Sequence, residues 1–426
     1  MDLQDSFLLK GSLTTQEVAK RIQKFNPTLK AIRDWKEPDI RKEFHVLVKN
    51  NIGLEGFYTS AGSKFFRELK LKDAFCVQLL KKHHVDVFGT THMTELAGFV
   101  TTAHPNRGYS YLGGFPKNPI SEMPPGGSST GSAIAVKAGF CHAALGTETR
   151  GSIMKPGLAC EVYAFKPSRG SISRKGIIPL SSLLDSPGIF ACNMQVLRKI
   201  YSFISSPDSE DELSVKFYSG KRKFKQTDNV LVSHRIGIIA CSNSSRSEVS
   251  TIQNLLEETG LQTVLIPGKE IDFCYKKISS LDFLRSMNSF IKANRSQLQV
   301  KDVYELIQNY RQDREASPFG MDRLEDALKF DKLENKELEA FATSNIRRAA
   351  DWIDSLCRQF DCGFLLSTDF VDCWSISGSP SIVVPLVVKT SKKTVSWYLN
   401  NPRWYNQSRT RFFYLWQNPE TVLKIA

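Results

Sequence analysis

From Gly126 to Pro156 the chain reads GGSSTGSAIAVKAGFCHAALGTETRGSIMKP, two Ser/Gly-rich turns flanking one short apolar segment. Turns made only of small residues let main-chain N–H groups and hydroxyls approach a neighbour closely, because glycine tolerates the φ > 0 angles such turns need. Ser132 to Gly139 fits a helix that starts from the first turn, which places that turn at the positive end of a helix dipole. Cys141 to Leu145 fits a strand that leads into the second. Two such turns meeting in space would make an active site.

The same alternation of strand and helix runs along the rest of the chain. Thr14 or Thr15 with Glu17, followed by Val18, Ile22 and Phe25, predicts an N-capped amphipathic helix. Phe44–Val48 reads as a short strand running into Lys49, Asp73–His83 as a helix, and Val85–Thr91 as a buried strand. Further strands are expected at Val162–Lys166, Arg235–Ala240, Gln262–Pro267 and Ser381–Pro385, with a helix at Ser247–Gly260 and a helix-rich, charged stretch from about 277 to 358. The pattern indicates an α/β architecture, without internal repeats or a low-complexity linker.

Composition narrows the function classes. The chain has 426 residues, 41% apolar and 24% charged, enough for a large core. Its longest apolar run, around Ile382–Val388, falls far short of the roughly 18 residues of a membrane span, so no integral membrane segment is expected. The nine cysteines are scattered without a C-x-x-C and the seven histidines form no H-E-x-x-H, so neither a disulfide framework nor a metal site is expected. The net charge of +13 favours a polyanionic partner or a compartment of basic proteins. The basic run Lys216–Lys225 reads as a solvated loop, with an RNA contact as the alternative. Two early acids and the lack of an apolar h-region argue against a secretory signal. A mitochondrial presequence is not evident either, although Lys10, Lys20, Arg21, Lys24, Lys30 and Arg33 against the single acid Glu17 over residues 10–33 leave room for a weak import signal.

The Gly126–Pro156 stretch lacks G-x-x-x-x-G-K-[ST], G-x-G-x-x-G after a strand, and G-x-S-x-G, which excludes the usual phosphate loops and the hydrolase nucleophile elbow. Taken singly, Lys49 reads equally as a strand-end lysine, Ser128 as a helix N-cap and Ser152 as a turn residue.

Taken together, GGSSTGSAIAV, ALGTETRGSIMKP and FKPSRGSISRKGIIPLSSLLDSPGIF, with VLVKNNI upstream, resemble the amidase signature family. Its corresponding pattern is GGSSGGS, ALGSDTGGS, a F/LKPT/S-x-G segment and a lysine in VKDN. The resemblance is collinear over about residues 15 to 200 and faint from about 205 onward. It implies a mixed central β-sheet covered by helices on both faces. It also implies one domain over residues 1–426, with an N-terminal helical region at 1–43, a core at 44–205 and a divergent, shortened half at 206–426.

The resemblance further implies a Ser–cis-Ser–Lys triad. Ser152 matches the nucleophile, Ser128 the bridging serine behind a cis peptide at Gly127–Ser128, and Lys49 the general base. The N–H groups of Thr149, Arg150, Gly151 and Ser152 match the oxyanion hole. A serine hydroxyl needs a hydrogen-bonded base near neutral pH, and a lysine serves only when burial depresses its pKa. Ser129 is a further substrate-side candidate. Asp369 falls near the acid that grips a substrate amino group, Asp372 is a second candidate, and Arg323 is a candidate for the carboxylate.

FKPSRGSISRKGIIPLSSLLDSPGI, FCHAALGTE and GTTHMTELAGF are especially similar to the A subunits of mitochondrial, fungal-type glutamyl-tRNA(Gln) amidotransferases. That implies glutamine as substrate, a partner B subunit that uses ATP and Mg²⁺ on Glu-tRNA(Gln), a small C- or F-type subunit, no cofactor in this chain, and a place in the mitochondrial matrix. A stand-alone amidase and a catalytically silent scaffold are the alternatives. Arg150, Glu148, Thr130 and Asn50 depart from the family pattern. If position 150 needs φ > 0, Arg150 would misshape the oxyanion turn.

Overall fold

The computed structural model describes residues 14–103, 108–220, 235–240, 246–258, 260–269, 271–330, 335–367, 372–385, 387–388 and 391–392. Helix α1 (Thr15–Leu29) opens the described chain with the expected capping box between Thr14 and Glu17. Strand β1 (Ile32–Trp35) follows. Strand β2 (His45–Lys49) is buried at all five positions, because both its edges are taken by parallel neighbours. These are β3 (Asp86–Thr91) and β4 (Ala143–Glu148). With β5 (Tyr163–Lys166), β6 (Ser186–Ala191) and β10 (Ser381–Val383) they form a seven-stranded mixed sheet in the order β1-β3-β2-β4-β6-β5-β10.

The pleat sends alternate side chains of β2 to two different cores. Leu47 faces a cluster built with α3 (Thr130–Lys137) and α4 (Met154–Ala159), while Val46 and Val48 face one built with α2 (Phe75–Lys82) and α5 (Met194–Ile204). The sheet is therefore covered by helices on both faces. Small residues make the close packing possible. A Cβ on Gly131 of α3 would lie 2.2 Å from the carbonyl oxygen of Ala31 and 2.6 Å from that of His92.

The second half adds a three-stranded parallel sheet, β8-β7-β9, from β7 (Arg235–Ala240), β8 (Gln262–Pro267) and β9 (Phe364–Ser367). Its helices are α6 (Glu212–Ser219), α7 (Arg246–Glu258), α8 (Tyr275–Ala293), α9 (Val303–Gln312), α10 (Asp322–Lys329), α11 (Asn335–Gln359) and the short α12 (Cys373–Ser377). Helices α8, α9 and α10 share a third core with Phe66, Leu96 and Phe99, which carries them over the ends of the main sheet's strands. The strand expected at Cys141–Leu145 starts later and continues to Glu148, so Thr147 and Glu148 belong to the sheet. Only the beginning of the basic run at Lys216–Lys225 falls on α6, and residues 221–225 lie outside the described residues.

Candidate active site

Lys49, Thr91 and Thr147 lie at the carboxyl ends of the parallel strands β2, β3 and β4, the edge where α/β sheets place their sites. The Lys49 side chain is fully buried. Its Nζ donates to Ser128 Oγ at 2.7 Å, Thr147 Oγ1 at 2.9 Å and the Thr147 carbonyl at 3.2 Å. Burial lowers its pKa to about 7, against the opposing charges of Asp185 and Glu148. A substantial fraction is therefore neutral near pH 7, the form in which an amine accepts a proton.

The Gly127–Ser128 peptide is cis. Ser128 is held from behind by Thr94, whose N–H donates to the Ser128 carbonyl at 3.0 Å, and Ser129 N–H donates to the Ser152 carbonyl at 3.2 Å. The two serine turns are thus tied to each other by main-chain contact. Ser128 and Ser152 line one cleft together with Gly127, Thr149 and Arg150. Among the described residues the Ser152 hydroxyl has no hydrogen-bond partner within the chain, as is common before substrate tightens such a site.

The turn that carries Ser152 is fixed by Glu148 and Ser375. Glu148 Oε2 accepts the N–H groups of Ile153 at 2.7 Å and Met154 at 3.0 Å. Its Oε1 accepts Ser375 Oγ–H at 2.6 Å, and Ser375 Oγ in turn accepts Gly151 N–H at 3.3 Å. Asp185 supports the other side. Its carboxylate accepts the Thr149 hydroxyl and the N–H groups of Leu180 and Ser181, and burial raises its pKa. The N–H groups of Thr149, Arg150 and Ser152 carry no acceptor among the described residues, which leaves three donors around the nucleophile candidate, with Gly151 N–H turned toward Ser375.

Position 150 corrects one expectation. Gly151, not Arg150, has the positive φ, at 77°, so an arginine at 150 imposes no left-handed strain. The Arg150 guanidinium pairs with Asp372 and lies 4.8 Å from the centre of the Tyr275 ring. Asp372 is thus engaged with Arg150. Arg323, at the start of α10, lines the cleft and donates from Nη1 to the Gly98 carbonyl at 2.8 Å. Ser129 sits behind the cleft wall, where its hydroxyl bonds the carbonyl and N–H of Thr147 at 3.1 and 3.2 Å. Asp369 lies outside the described residues.

The sequence reading left Glu148, Asp185 and Ser375 without a role, and it did not place Glu95. Glu95 lines the cleft, accepts Tyr310 Oη–H at 2.5 Å and Tyr111 N–H at 2.7 Å, and is raised to about 7 by burial.

The amidase family model matches residues 45–372, and the chain belongs to that family. The A subunit of a glutamyl-tRNA(Gln) amidotransferase from Saccharolobus solfataricus is 33% identical over 197 residues, 46% of this chain and 39% of that protein. Its counterpart from Campylobacter jejuni is 32% identical over 240 residues, 56% of this chain and 50% of that protein. The matched chain thus spans about half or less of these relatives' length. The fold of a peptide amidase from Stenotrophomonas maltophilia superposes with a TM-score of 0.80 at 21% identity, covering 98% of this chain and 94% of that one.

Proposed function

We propose that the chain is the glutamine-hydrolysing A subunit of a glutamyl-tRNA(Gln) amidotransferase. The observation that carries amide hydrolysis is the buried Lys49 Nζ on Ser128 Oγ, beside Ser152 in the same cleft. The names of the sequence relatives support the choice of reaction. Ser152 Oγ attacks the side-chain carboxamide of glutamine as its proton passes through Ser128 to neutral Lys49. The tetrahedral oxyanion is held by N–H groups of the 149–152 turn, where one donor typically contributes about 10²–10³ in rate. Lysine returns the proton to the leaving nitrogen and ammonia departs. Water then cleaves the acyl-Ser152 ester to glutamate.

In this reading the ammonia passes to a B subunit that activates Glu-tRNA(Gln) with ATP and Mg²⁺. A small C- or F-type subunit joins the pair, and the complex serves translation in the mitochondrial matrix. The chain itself holds no cofactor.

The test is ammonium release from glutamine by the chain purified with its native partners, with Glu-tRNA(Gln) conversion followed in parallel. Loss of both in Ser152→Ala supports the reading. Full ammonium release by Ser152→Ala overturns it, and hydrolysis of unrelated amides without tRNA conversion points to a stand-alone amidase.

A further inference from the structure

The long helix α11 ends in a turn that brings two thiols together. Asp361 has the left-handed φ of 46°, its N–H bonds the Arg358 carbonyl at 3.4 Å, and Cys362 N–H bonds the Cys357 carbonyl at 3.0 Å. This is the helix ending in which the second residue past the cap packs its side chain on the last helical turn. Here both side chains are cysteines. Neither is in a disulfide, and the two thiols are hydrogen-bonded to each other. The 3.0 Å main-chain bond keeps the two Cα atoms within the roughly 4.4–6.8 Å that disulfides span.

The surroundings give the two sulfurs different parts. Cys362 Sγ takes the space that a side chain at Gly237 of β7 would need, since a Cβ there would lie 2.9 Å from it, and it belongs to the core that holds Cys373 and Trp374 of α12. Cys357 packs at the partly exposed edge of that core. Burial pushes the thiols of Cys76, Cys141 and Cys160 up, whereas the hydrogen bond from Cys357 draws Cys362 below the ordinary thiol value. Such a pair gives up its first proton readily, and the thiolate is the form that reacts with oxidants.

We propose that Cys357 and Cys362 form a reversible redox modification site, a dithiol that hydrogen peroxide closes to a disulfide across the end of α11. The pair loses one proton, and the partly exposed Cys357 sulfur attacks the peroxide O–O bond. That bond breaks, Cys357 becomes a sulfenic acid, and the departing hydroxide takes the proton to leave as water. The Cys362 thiol then attacks the Cys357 sulfur; the S–S bond forms, the S–O bond breaks, and the Cys362 proton leaves with the hydroxyl as a second water. The two thiols lose two electrons and two protons, and one peroxide becomes two waters. A dithiol reductant reverses the bridge by exchange. The site is independent of Ser152 chemistry, since neither cysteine lines that cleft.

The test treats the full chain, with its partners, with one hydrogen peroxide per chain, blocks the unreacted thiols and digests with trypsin, which cuts after Arg358 between the two cysteines. The expected product is the peptide ending at Arg358 joined to the one beginning at Gln359, with two of the nine thiols lost and both restored by dithiothreitol. Unfolding in urea before treatment should slow closure about tenfold or more, because the turn no longer holds the thiols together. The second peptide also contains Cys373, so the joined product should persist in Cys373→Ser and vanish in Cys357→Ser and Cys362→Ala. Fragment masses of the wild-type product assign the bridged sulfurs without any variant. Oxidation of the exposed Cys192 with both Cys357 and Cys362 unreacted overturns the proposal. So does a bridge from Cys357 to Cys373, or closure as fast in urea as in the folded protein.

Discussion

Replacing Lys49 by methionine should abolish hydrolysis and stabilise the fold at low pH. Burial lowers the Lys49 pKa from 10.5 to about 7, so protonating it inside the protein costs roughly 5 kcal/mol more than in the unfolded chain. Three hydrogen bonds at 2.7 to 3.2 Å return part of this cost, at about 1 kcal/mol each. Methionine fills similar space without a charge, so the variant should be more stable than wild type by about 1–3 kcal/mol at pH 6. The sign of the pH dependence follows from the lowered pKa. Between the folded value near 7 and the unfolded value near 10.5 the unfolded chain binds more protons, so wild-type stability rises with pH. Relative to Lys49→Met, wild type should gain roughly 3 kcal/mol between pH 6 and pH 9. Urea denaturation of both proteins at the two pH values measures this. A variant less stable than wild type at pH 6, or a difference constant with pH, refutes the assignment of a buried, readily neutralised amine. For wild type, kcat/KM should rise through an apparent pKa near 7 as Lys49 loses its proton.

Lys166 provides the internal control: it is also buried, also lowered to about 7 by burial, and donates to the Ser379 carbonyl rather than to a serine hydroxyl. Lys166→Met should flatten the pH dependence of stability by a similar amount yet leave the inflection of kcat/KM in place; loss of that inflection would assign it to the wrong lysine. Gly131→Ala puts a Cβ against two carbonyl oxygens and should destabilise by about 1–3 kcal/mol, and a cost under about 0.5 kcal/mol in denaturant titration would show that α3 shifts freely. Ser375→Ala unties Glu148 from Gly151 N–H and should lower kcat about tenfold, the equivalent of roughly 1.4 kcal/mol in the barrier, with the denaturation midpoint nearly unmoved. An unchanged kcat would show that the Ser152 turn is held without it.

The fold was legible where one period dominates. β2 and β3 fall on the short segments that read as strands, each around a core of β-branched or aromatic residues, and α1 carries a capping box at its start. Strand β6 was missed because SPGIFA is short, begins with a Ser-Pro turn signal, and owes its six buried positions to pairing with β4 and β5 rather than to local pattern. The extension of β4 through Thr147 and Glu148 has the same origin. These polar residues stay on the sheet because β6 continues opposite them as far as Ser186. Periodicity reports the face a strand buries, and it is silent on how far its neighbour runs.

The site divides along the same line. Lys49, Ser128 and Ser152 could be grouped from sequence because motif order along 104 positions, from 49 to 152, preserves what the sheet later brings together. Ser375 could not be found that way. It belongs to a helix between β9 of the small sheet and β10 of the large one, and only the crossing between sheets delivers it to Glu148. Arg150 shows the converse limit. From sequence it looked like a defect in a glycine turn, because the residue type was visible and the backbone angle was not. With the positive φ carried by Gly151, the arginine puts no left-handed strain on the turn, and its guanidinium is held by Asp372 from that same crossing segment. The divergent half of the chain therefore meets the Ser152 turn through Ser375 on its main chain and through Asp372 and Tyr275 on its arginine. A change there can shift the Ser152 turn while the Lys49–Ser128 contact, built wholly from the first half, stays as it is.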